Sequence, residues 1–262
     1  ALSSADCRTV EPGLSRRDKI RIRLPDAGVN PLLLLRATAE SARRHGAEIS
    51  TGVEVVALRQ AKGAVRGVEV RESATGARYD VQADLVINAA GPWAGRVAAL
   101  AGIDLPVRPN AGALVVLAQR VVRTVVHRCR PPSDGDIVVP LGGVTILGTT
   151  SKSALDPDAI EVDEEEHEAV VTPAIEMVPA VRTTPTLRSF AGARPLFAAA
   201  GQDGRKVSRG FAVLDHAALH GVRGFVSVVG GKLTIHRLMA EHAADAACAY
   251  LAVKAECLTA QE

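Results

Sequence analysis

The chain has 262 residues, with 31 Lys and Arg against 29 Asp and Glu, so its formal net charge is +2. This length is enough for one large domain or two smaller ones, each with a hydrophobic core. A nearly neutral chain has no global electric field that would attract nucleic acid or a lipid surface, and neither is predicted as a partner. Any anion site must therefore be local.

The cysteines and the hydropathy pattern limit the class of protein further. Cys7, Cys129, Cys248 and Cys257 form no CxxC pair, which argues against a zinc site or a disulfide framework and favours a reducing cytoplasm. The sequence has no run of the roughly 18 to 20 apolar residues that a membrane span needs, and its start shows no signal-peptide pattern. We therefore expect no bound metal and no membrane insertion by this chain alone.

The opening part of the chain predicts a helix followed by a small antiparallel sheet. Asn30 can cap the first free amides of the helix, Pro31 suits the first helical position, and Gly46 ends it. Strands rich in β-branched residues follow at 48–60, 64–73 and 77–83.

A buried strand, a turn of small residues and a short helix are predicted over residues 83–102. The strand is apolar on both faces, which is typical of a buried and largely parallel sheet, and the helix starts near Trp93. From Pro106 onward the chain changes to short strands separated by Pro, Gly and Asp, at residues 112–119, 123–129, 136–143 and 144–151. This change predicts an antiparallel domain inserted into the first one.

The last part of the chain predicts two helices and three more strands. Asp163 caps the first helix, and we expect the acids after it, Glu164, Glu165 and Glu166, to form a solvated first turn at the positive end of the dipole. Strands are predicted at 186–195, 210–216 and 224–231. The final helix is predicted from Lys232 to Leu251. Its apolar residues recur every three or four positions, so we expect a core-facing stripe of Ile235, Leu238, Met239, Ala243, Ala246 and Tyr250.

The stretch VVGGKLTI, residues 228–235, is similar to a phosphate-binding loop but does not match one. The GxxxxGK pattern followed by Ser or Thr requires a glycine where Val226 stands and a hydroxyl residue where Leu233 stands. A strand that ends in Gly-Gly and turns at once into a helix still exposes unpaired amides, and Lys232 adds a positive charge there. A tight turn with a solvated lysine is the structural alternative.

A second strand-to-helix turn of small residues lies at positions 88–93. One such turn stands on each side of the predicted inserted domain. We therefore expect one flat ligand to lie against both turns, and a flavin fits that description.

Several segments carry a resemblance to a known family. DLVINAAGPWAG resembles the strand-and-turn segment of the flavin-dependent amine and hydroxy-acid oxidoreductases, and GARPL with GGKLT is similar to their glycerol-3-phosphate dehydrogenase branch. HRCRPPSDGDIVVP, ILGTTS, VSRGFAVLDHA and GGKLTIHRLMAEHAADA resemble the catalytic A subunit of the anaerobic respiratory enzymes in that branch. The resemblance extends over nearly the whole chain.

The resemblance implies an α/β (α+β) fold, in which part of an FAD-binding Rossmann-like domain carries an inserted antiparallel substrate (cap) domain. The implied limits are 1–105 for the partial FAD-binding domain, 106–190 for the cap domain and 191–262 for the return to the FAD-binding domain. The family's GxGxxG unit and its cysteine-rich iron–sulfur-binding region do not occur in this sequence. We therefore interpret the chain as the central piece of a larger protein.

The activity that the resemblance implies is the oxidation of sn-glycerol 3-phosphate to dihydroxyacetone phosphate. FAD is the implied cofactor: the C2 hydrogen moves as a hydride to flavin N5 while the C2 hydroxyl loses its proton. Electrons then pass to a quinone acceptor through partner subunits. This implies a cytoplasmic protein at the inner face of the cell membrane, attached peripherally through other subunits.

The resemblance also implies roles for individual residues. Arg194 in GARPL faces the substrate near the flavin, with a surface salt bridge as its alternative, and Arg209 in VSRG helps to hold the substrate phosphate. Lys232 lies beside the flavin, where its charge and a helix amino terminus favour a reduced, anionic ring. Val55 is implied to meet the adenine. Backbone contacts to the ring are implied for Ala90, Gly91, Gly230, Gly231, Leu233 and Thr234.

Other residues and other functions stay open. His216 in VLDHA is a candidate general base because an unperturbed histidine titrates near neutrality, but a hydrogen-bonded structural role at the strand end is equally compatible. The simplest role for His127, Arg128 and Arg130 is to pin a loop of the cap domain. The rival functions are an amino-acid or sarcosine-type flavin oxidase of the same fold and a non-catalytic binding or assembly module.

Overall fold

The structure is a computed structural model that describes residue 6 and residues 9–16, 22–25, 27–197 and 210–259. The helices α1 to α5 are Pro31–Arg44, Ala94–Ala99, Glu164–Met177, His216–His220 and His236–Leu251. Short 3-10 turns lie at Gly91–Trp93, Pro179–Thr183 and Leu233–Ile235.

The twelve strands described here fall in three groups along the chain. The strands β1 to β4 are Val53–Ala61, Ala64–Glu72, Arg78–Gln82 and Val86–Asn88. The strands β5 to β9 are Val107–Leu117, Val126–His127, Ile137–Leu141, Val144–Gly148 and Lys152–Ser153. The strands β10 to β12 are Thr186–Phe197, Phe211–Asp215 and Phe225–Gly230. The predicted strands and helices occur in the predicted order, whereas the short helix His216–His220 and the strand Lys152–Ser153 were not predicted.

The chain divides into two compact units. The first unit contains residues 1–49, 111–152 and 158–193, and the second contains residues 50–110, 153–157 and 194–262. The domain limits at 105/106 and 190/191 remain a prediction about the whole protein.

The first unit is built on an antiparallel sheet covered by a capped helix. Its strand order is β10-β5-β8-β7-β6, with β9 paired to β5, and β7 and β8 pair antiparallel through residues such as Val138 and Leu147. Both side chains are fully buried in a cluster that also contains Val170 and Ala174 of α3. The antiparallel sheet predicted after Pro106 is confirmed.

Both predicted helix caps of the first unit are present. The side chain of Asn30 accepts hydrogen bonds from the amides of Leu32 and Leu33 at the start of α1. The side chain of Asp163 accepts one from the Glu166 amide at the start of α3. Both helices therefore begin where local chemistry predicts.

The expectation of a fully solvated acidic turn in α3 is wrong for Glu166. This residue is only 7% exposed, because its Oε1 accepts a hydrogen bond of 2.9 Å from the Thr150 hydroxyl. The ammonium of Lys152 lies 3.6 Å from its other carboxylate oxygen. The sequence could not show this, since burial of Glu166 depends on a strand end outside the helix.

The second unit contains two small sheets. One is the predicted antiparallel meander, in the order β1-β2-β3, and the other is a mixed sheet in the order β11-β12-β4. Strand β12 is antiparallel to β11 and parallel to β4. A cluster around Phe225, Val229, Val65 and Ala94 forms the core. Of the largely parallel sheet predicted from β4, the described residues therefore contain one parallel pair.

The final helix is more exposed than the sequence predicted. After the 3-10 turn, α5 begins at His236 and contains no buried residue, and Leu238 is 40% exposed. The other members of the predicted stripe are only partly covered. Helix α5 contacts β11 and β12, and in the described part of the chain this covers only one side of it. The predicted burial of the stripe is therefore wrong here.

Candidate functional site

Two strand-to-helix turns lie side by side at one edge of the mixed sheet. Strands β4 and β12 are parallel neighbours, with Asn88 paired to Ser227. Because parallel strands end at the same edge of a sheet, the turn after Asn88 and the turn after Gly230 face the same space. Ligands of open α/β sheets bind at such carboxyl edges. The structure thus brings together Ala90, Gly91, Gly230, Gly231, Lys232, Leu233 and Thr234.

Glycines give these two turns their shape. Gly91, Gly230 and Gly231 have φ angles of 56°, 73° and 77°, which other residues adopt only with strain. A Cβ at Gly230 would lie 2.5 Å from the Gly210 carbonyl oxygen, whereas a Cβ at Gly91 would have no described atom within 4 Å. Gly91 therefore borders open space, and Gly230 is held by the neighbouring strand.

The backbone donors at this edge are unevenly available. The Gly231 amide donates to the Gly210 carbonyl at 2.9 Å, and the Ala90 amide donates to the Asn88 side chain at 3.3 Å. Leu233 and Thr234 open a 3-10 turn that continues into α5, and the first amides of a helix have no acceptor within the helix. Hydrogen bonds to a ligand would therefore come from Leu233 and Thr234, whereas Gly231 is packed against Met239, whose sulfur would lie 2.4 Å from a Cβ there.

Lys232 adds a positive charge at the same point. It is the extended residue directly before the 3-10 turn, and its side chain is exposed. The helix dipole places partial positive charge at this end as well. The turn therefore favours an anion or an electron-rich ring edge.

Asn88 is a site residue that the sequence interpretation missed. Its Nδ2 donates to the Ala94 carbonyl at 2.9 Å and to the Ser227 hydroxyl at 3.1 Å, while its Oδ1 accepts from the Ala90 amide. Asn88 and Ser227 are 3% and 0% exposed. The signal in the sequence was a polar amide at the end of an otherwise apolar strand, directly before a turn of small residues.

His216 lies inside the second unit and away from the open edge. It is 0% exposed, its Nε2 lies 2.8 Å from the Ser227 hydroxyl, and its Nδ1 lies 3.0 Å from Nδ1 of His220. Gly230 is three positions after Ser227 on β12, a distance of about 10 Å. This geometry favours the structural role for His216 that the sequence left open beside the general base.

The surroundings of His216 also lower its pKa. Burial is the largest cause, and the neighbouring His220 acts in the same direction, whereas Asp215 acts against them. The ring stacks on Phe225, with centroids 4.8 Å apart and 21° between the planes. His216 therefore stays neutral near physiological pH.

The two candidate substrate arginines differ in their structural setting. Arg194 is partly buried, and its Nη1 donates a hydrogen bond of 2.9 Å to the Asn110 side chain. Asn110 is 4% exposed, so the guanidinium is held by a buried amide that the sequence did not single out. Arg209 lies outside the described residues.

Val55 lies apart from the two turns in this chain's sheets. It belongs to β1, where it pairs with Val70 of β2, and it is 36% exposed. The structure therefore places Val55 on the antiparallel meander and not on the mixed sheet that carries the turns.

The motif around His127 is part of the first unit. Arg128 donates to the Pro173 carbonyl of α3 at 2.8 Å, and Arg130 contacts Asp136 at 2.8 Å. Burial would raise the pKa of Asp136, but hydrogen bonds from Ser133 and Arg130 outweigh it, and the pKa is lowered. These contacts support the prediction that the motif pins a loop.

The described residues were searched for helices that could span a membrane and for clusters of side chains that could bind a metal ion. None of these helices is long and apolar enough to cross a membrane. The same residues contain no group of three or more His, Cys, Asp or Glu side chains arranged to hold a metal ion.

Comparison with known proteins defines the class. The chain matches the family described as "DAO: FAD dependent oxidoreductase" over residues 1–237, and it belongs to that family. The mixed sheet with an antiparallel sheet inserted between its strands is consistent with this assignment.

The curated relatives narrow the class. The chain is 40% identical to the A1 subunit of the anaerobic glycerol-3-phosphate dehydrogenase of Haloferax volcanii, covering 100% of this chain and 47% of that protein. It is 37% identical to the A subunit of the anaerobic glycerol-3-phosphate dehydrogenase of Escherichia coli K12, covering 99% and 48%. The chain thus spans about half the length of these relatives.

Solved structures show the same fold. The glycerol-3-phosphate dehydrogenase of Bacillus halodurans, complexed with FAD, has a TM-score of 0.70 and 27% identity, covering 84% of this chain and 43% of its own. The glycine oxidase of Bacillus cereus has a TM-score of 0.62 and 20% identity, covering 86% and 57%, which shows the fold alone.

The residues at the open edge fit a flavin ring. A flat ring needs close backbone approach, which Gly91 allows. Its pyrimidine oxygens and nitrogens accept hydrogen bonds, which the amides of Leu233 and Thr234 can donate. Lys232 places a positive charge at the same edge. The donor set therefore agrees with the FAD-dependent family.

Proposed function

We propose that the longer protein of which this chain forms part oxidises sn-glycerol 3-phosphate to dihydroxyacetone phosphate with FAD. The observation that carries the proposal is the parallel pairing of β4 with β12, which joins both predicted flavin turns at one sheet edge. The relatives named as anaerobic glycerol-3-phosphate dehydrogenase subunits, at 40% and 37% identity, support the substrate.

The chain's own groups stabilise charge near the ring. Bound FAD would supply the acceptor for the hydride that leaves C2 of the substrate. Lys232 and the amides of Leu233 and Thr234 at the start of the 3-10 turn would stabilise negative charge on the ring. These groups are already in place on the backbone, so little reorganisation is needed during the reaction.

Arginines are proposed to hold the substrate. Arg194 and Arg209 are assigned to the substrate and its phosphate, because a guanidinium binds a phosphate dianion with two parallel hydrogen bonds and never loses its charge. The bond from Arg194 to buried Asn110 orients the guanidinium. We propose further that Val55 contacts the adenine of the cofactor.

The remaining proposals concern the proton and the electrons. The C2 hydroxyl must lose its proton to a base, and we do not assign this base to His216, since its two ring nitrogens face Ser227 and His220 inside the unit. Electrons are proposed to pass to a quinone through partner chains located on the cytoplasmic face of the membrane. The relatives are named as subunits, which supports the existence of partner chains.

The test compares substrates with the full-length protein under anaerobic conditions. We expect sn-glycerol 3-phosphate to bleach the oxidised flavin absorbance with formation of dihydroxyacetone phosphate, and glycine or sarcosine to leave it unchanged. Bleaching by the amino acids alone would favour the oxidase alternative. A full-length protein that binds no flavin would favour the non-catalytic module.

A further inference from the structure

Three buried polar side chains connect one of the flavin turns to the interior of the second unit. Asn88, His216 and Ser227 are 3%, 0% and 0% exposed. Buried polar groups are destabilising unless they are hydrogen-bonded, and these three bond to one another. Neither substrate binding nor charge stabilisation, as described above, uses His216 or Ser227.

The orientation of the Asn88 amide is determined by its backbone partners. The Ala94 carbonyl can only accept and the Ala90 amide can only donate, so Nδ2 faces Ala94 and Oδ1 faces Ala90. The second hydrogen of Nδ2 then points to the Ser227 hydroxyl at 3.1 Å. Ser227 is therefore a hydrogen-bond acceptor from Asn88.

The hydrogens of the other side chains follow from this orientation. In the arrangement that satisfies these groups with one another, the Ser227 hydroxyl donates to Nε2 of His216, 2.8 Å away. Nδ1 of His216 then carries its proton and donates to Nδ1 of His220, 3.0 Å away. The hydrogen bonds thus run in one direction, from Asn88 through Ser227 and His216 to exposed His220, and such chains strengthen each member.

The near end of this hydrogen-bond chain reaches the backbone that faces the flavin. The bond of 3.3 Å from the Ala90 amide to Asn88 Oδ1 closes a turn of the kind that asparagine forms with the residue two positions ahead. Gly91, with its open approach, is the next residue. If the Asn88 amide rotated, the Ala90 amide would lose its acceptor and the turn would lose its constraint.

The groups around His216 keep the hydrogen-bond chain intact near neutral pH. His220 faces it from its own helix, Asp215 from the strand before that helix, and Ser227 and Phe225 from β12. Of these only Asp215 and His220 can carry charge. A neutral His216 retains the unprotonated Nε2 that accepts from Ser227.

We propose that Ser227 and His216 are positioning residues, which hold Asn88 and through it the turn at 89–91 in the conformation that contacts the flavin. The inference rests on the proposed function, since it requires that a flavin lie against that turn. Ser227 lies 139 residues from Asn88 in sequence, so the constraint joins two distant parts of the chain.

The experiment uses the full-length protein and four variants. Ser227→Ala removes one oxygen, His216→Phe keeps the ring volume without a hydrogen-bonding atom, and His216→Gln keeps an acceptor close to the Nε2 position. The matched control is Thr145→Val, because Thr145 is also a 0% exposed hydroxyl that bonds to the Val121 amide and the Gln119 carbonyl of the first unit. The readouts are hydrogen exchange of the segment 88–94, the Kd for FAD and the visible spectrum of the bound flavin.

We expect Ser227→Ala and His216→Phe to increase amide exchange in segment 88–94 and to weaken FAD binding about tenfold, since a lost buried hydrogen bond corresponds to roughly that factor. The flavin spectrum should shift in both variants. His216→Gln should bind FAD within about threefold of the wild-type protein, and Thr145→Val should lower only thermal stability.

Three outcomes would decide against the proposal. Unchanged exchange in segment 88–94 of Ser227→Ala would overturn the positioning role, and so would faster exchange with an unchanged flavin Kd and spectrum. Equal weakening of FAD binding by Thr145→Val would show a merely structural effect and overturn it too. A wild-type full-length protein that carries no flavin would overturn the proposed function itself. The visible spectrum of the purified wild-type protein shows this before any variant is made.

Discussion

Substitution of Gly91 by alanine separates the cost of backbone strain from the cost of blocking the flavin. Gly91 has a φ of 56° and precedes Pro92, so Ala would adopt an unfavourable conformation at a position that proline restricts further. No described atom lies within 4 Å of the added Cβ, so the apoprotein gains no steric clash. The free energy of unfolding should therefore fall by only about 1–2 kcal/mol.

Gly102→Ala is the control for strain. Gly102 lies in the same unit with a φ of 75° and also has no described atom within 4 Å of a Cβ. Its substitution should lower the free energy of unfolding by about 1 kcal/mol. Gly102 follows α2 and is not at the sheet edge of the two turns, so flavin binding should be unaffected.

The flavin should respond differently to the two substitutions. A methyl group at Gly91 would occupy space next to the ring, and overpacking of this kind costs about 1–3 kcal/mol. The Kd for FAD should therefore rise roughly tenfold to a hundredfold for Gly91→Ala. Urea unfolding of the apoproteins measures how much backbone strain lowers the free energy of unfolding. Fluorescence titration of the full-length proteins measures the Kd for FAD. An equal Kd for the Gly91 and Gly102 variants would refute the placement of the ring against this turn.

Three further predictions concern single side chains. Lys232→Gln should lower the midpoint potential of the bound flavin by about 20 mV in a redox titration, because one charge near the ring is worth roughly 1 kcal/mol across two electrons; an unchanged potential would contradict a role beside the ring. Since the pKa of His216 is lowered in the folded protein, its contribution to stability is complete above about pH 6.5 and is lost as pH falls toward the folded pKa, with a slope of up to about 1.4 kcal/mol per pH unit. Urea unfolding across this range should show that the free energy of unfolding of His216→Gln depends less on pH than that of the wild-type protein. The same pH dependence in both proteins would count against a lowered pKa of His216. Asp163→Ala should lower the free energy of unfolding by about 1 kcal/mol, because its side chain caps α3 through the Glu166 amide at 2.8 Å; the exposed neighbour Glu164→Ala should have a smaller effect in the same assay.

Local chemistry explains why much of the fold could be predicted. The caps at Asn30 and Asp163 depend on side chains within three residues of the amides that they bind, so the sequence contains the whole interaction. The same is true of the glycine turns at Gly91 and Gly230, where φ angles of 56° and 73° demand glycine. The order of strands and helices followed from such local signals.

Long-range contacts explain what could not be predicted. The two turns were each visible in the sequence, but their meeting depends on the register of Asn88 with Ser227, which only the sheet determines. Glu166 is buried because Thr150 of another element bonds to it. The apolar stripe of α5 has the correct period for a core helix, yet periodicity does not show how many other elements pack against the helix.

Long-range contacts also explain why only some features of the candidate site could be predicted from the sequence. His216 stands out as a titratable residue, but its partners Ser227 and His220 and its burial became clear only in the folded chain. Asn110 was invisible for the same reason, since its bond to Arg194 spans 84 residues. A candidate base or clamp can be named from a sequence, whereas its access to a substrate depends on packing.

We propose that one flavin lies against both turns, and a crystal structure of the full-length protein with FAD would show whether it does. We predict that the isoalloxazine ring contacts Gly91 on one side and the backbone from Gly231 to Thr234 on the other, within about 4 Å of each. The amides of Leu233 and Thr234 should donate to the ring, with Lys232 beside it. A ring that contacts only one of these turns, or that lies elsewhere in the protein, would contradict the claim.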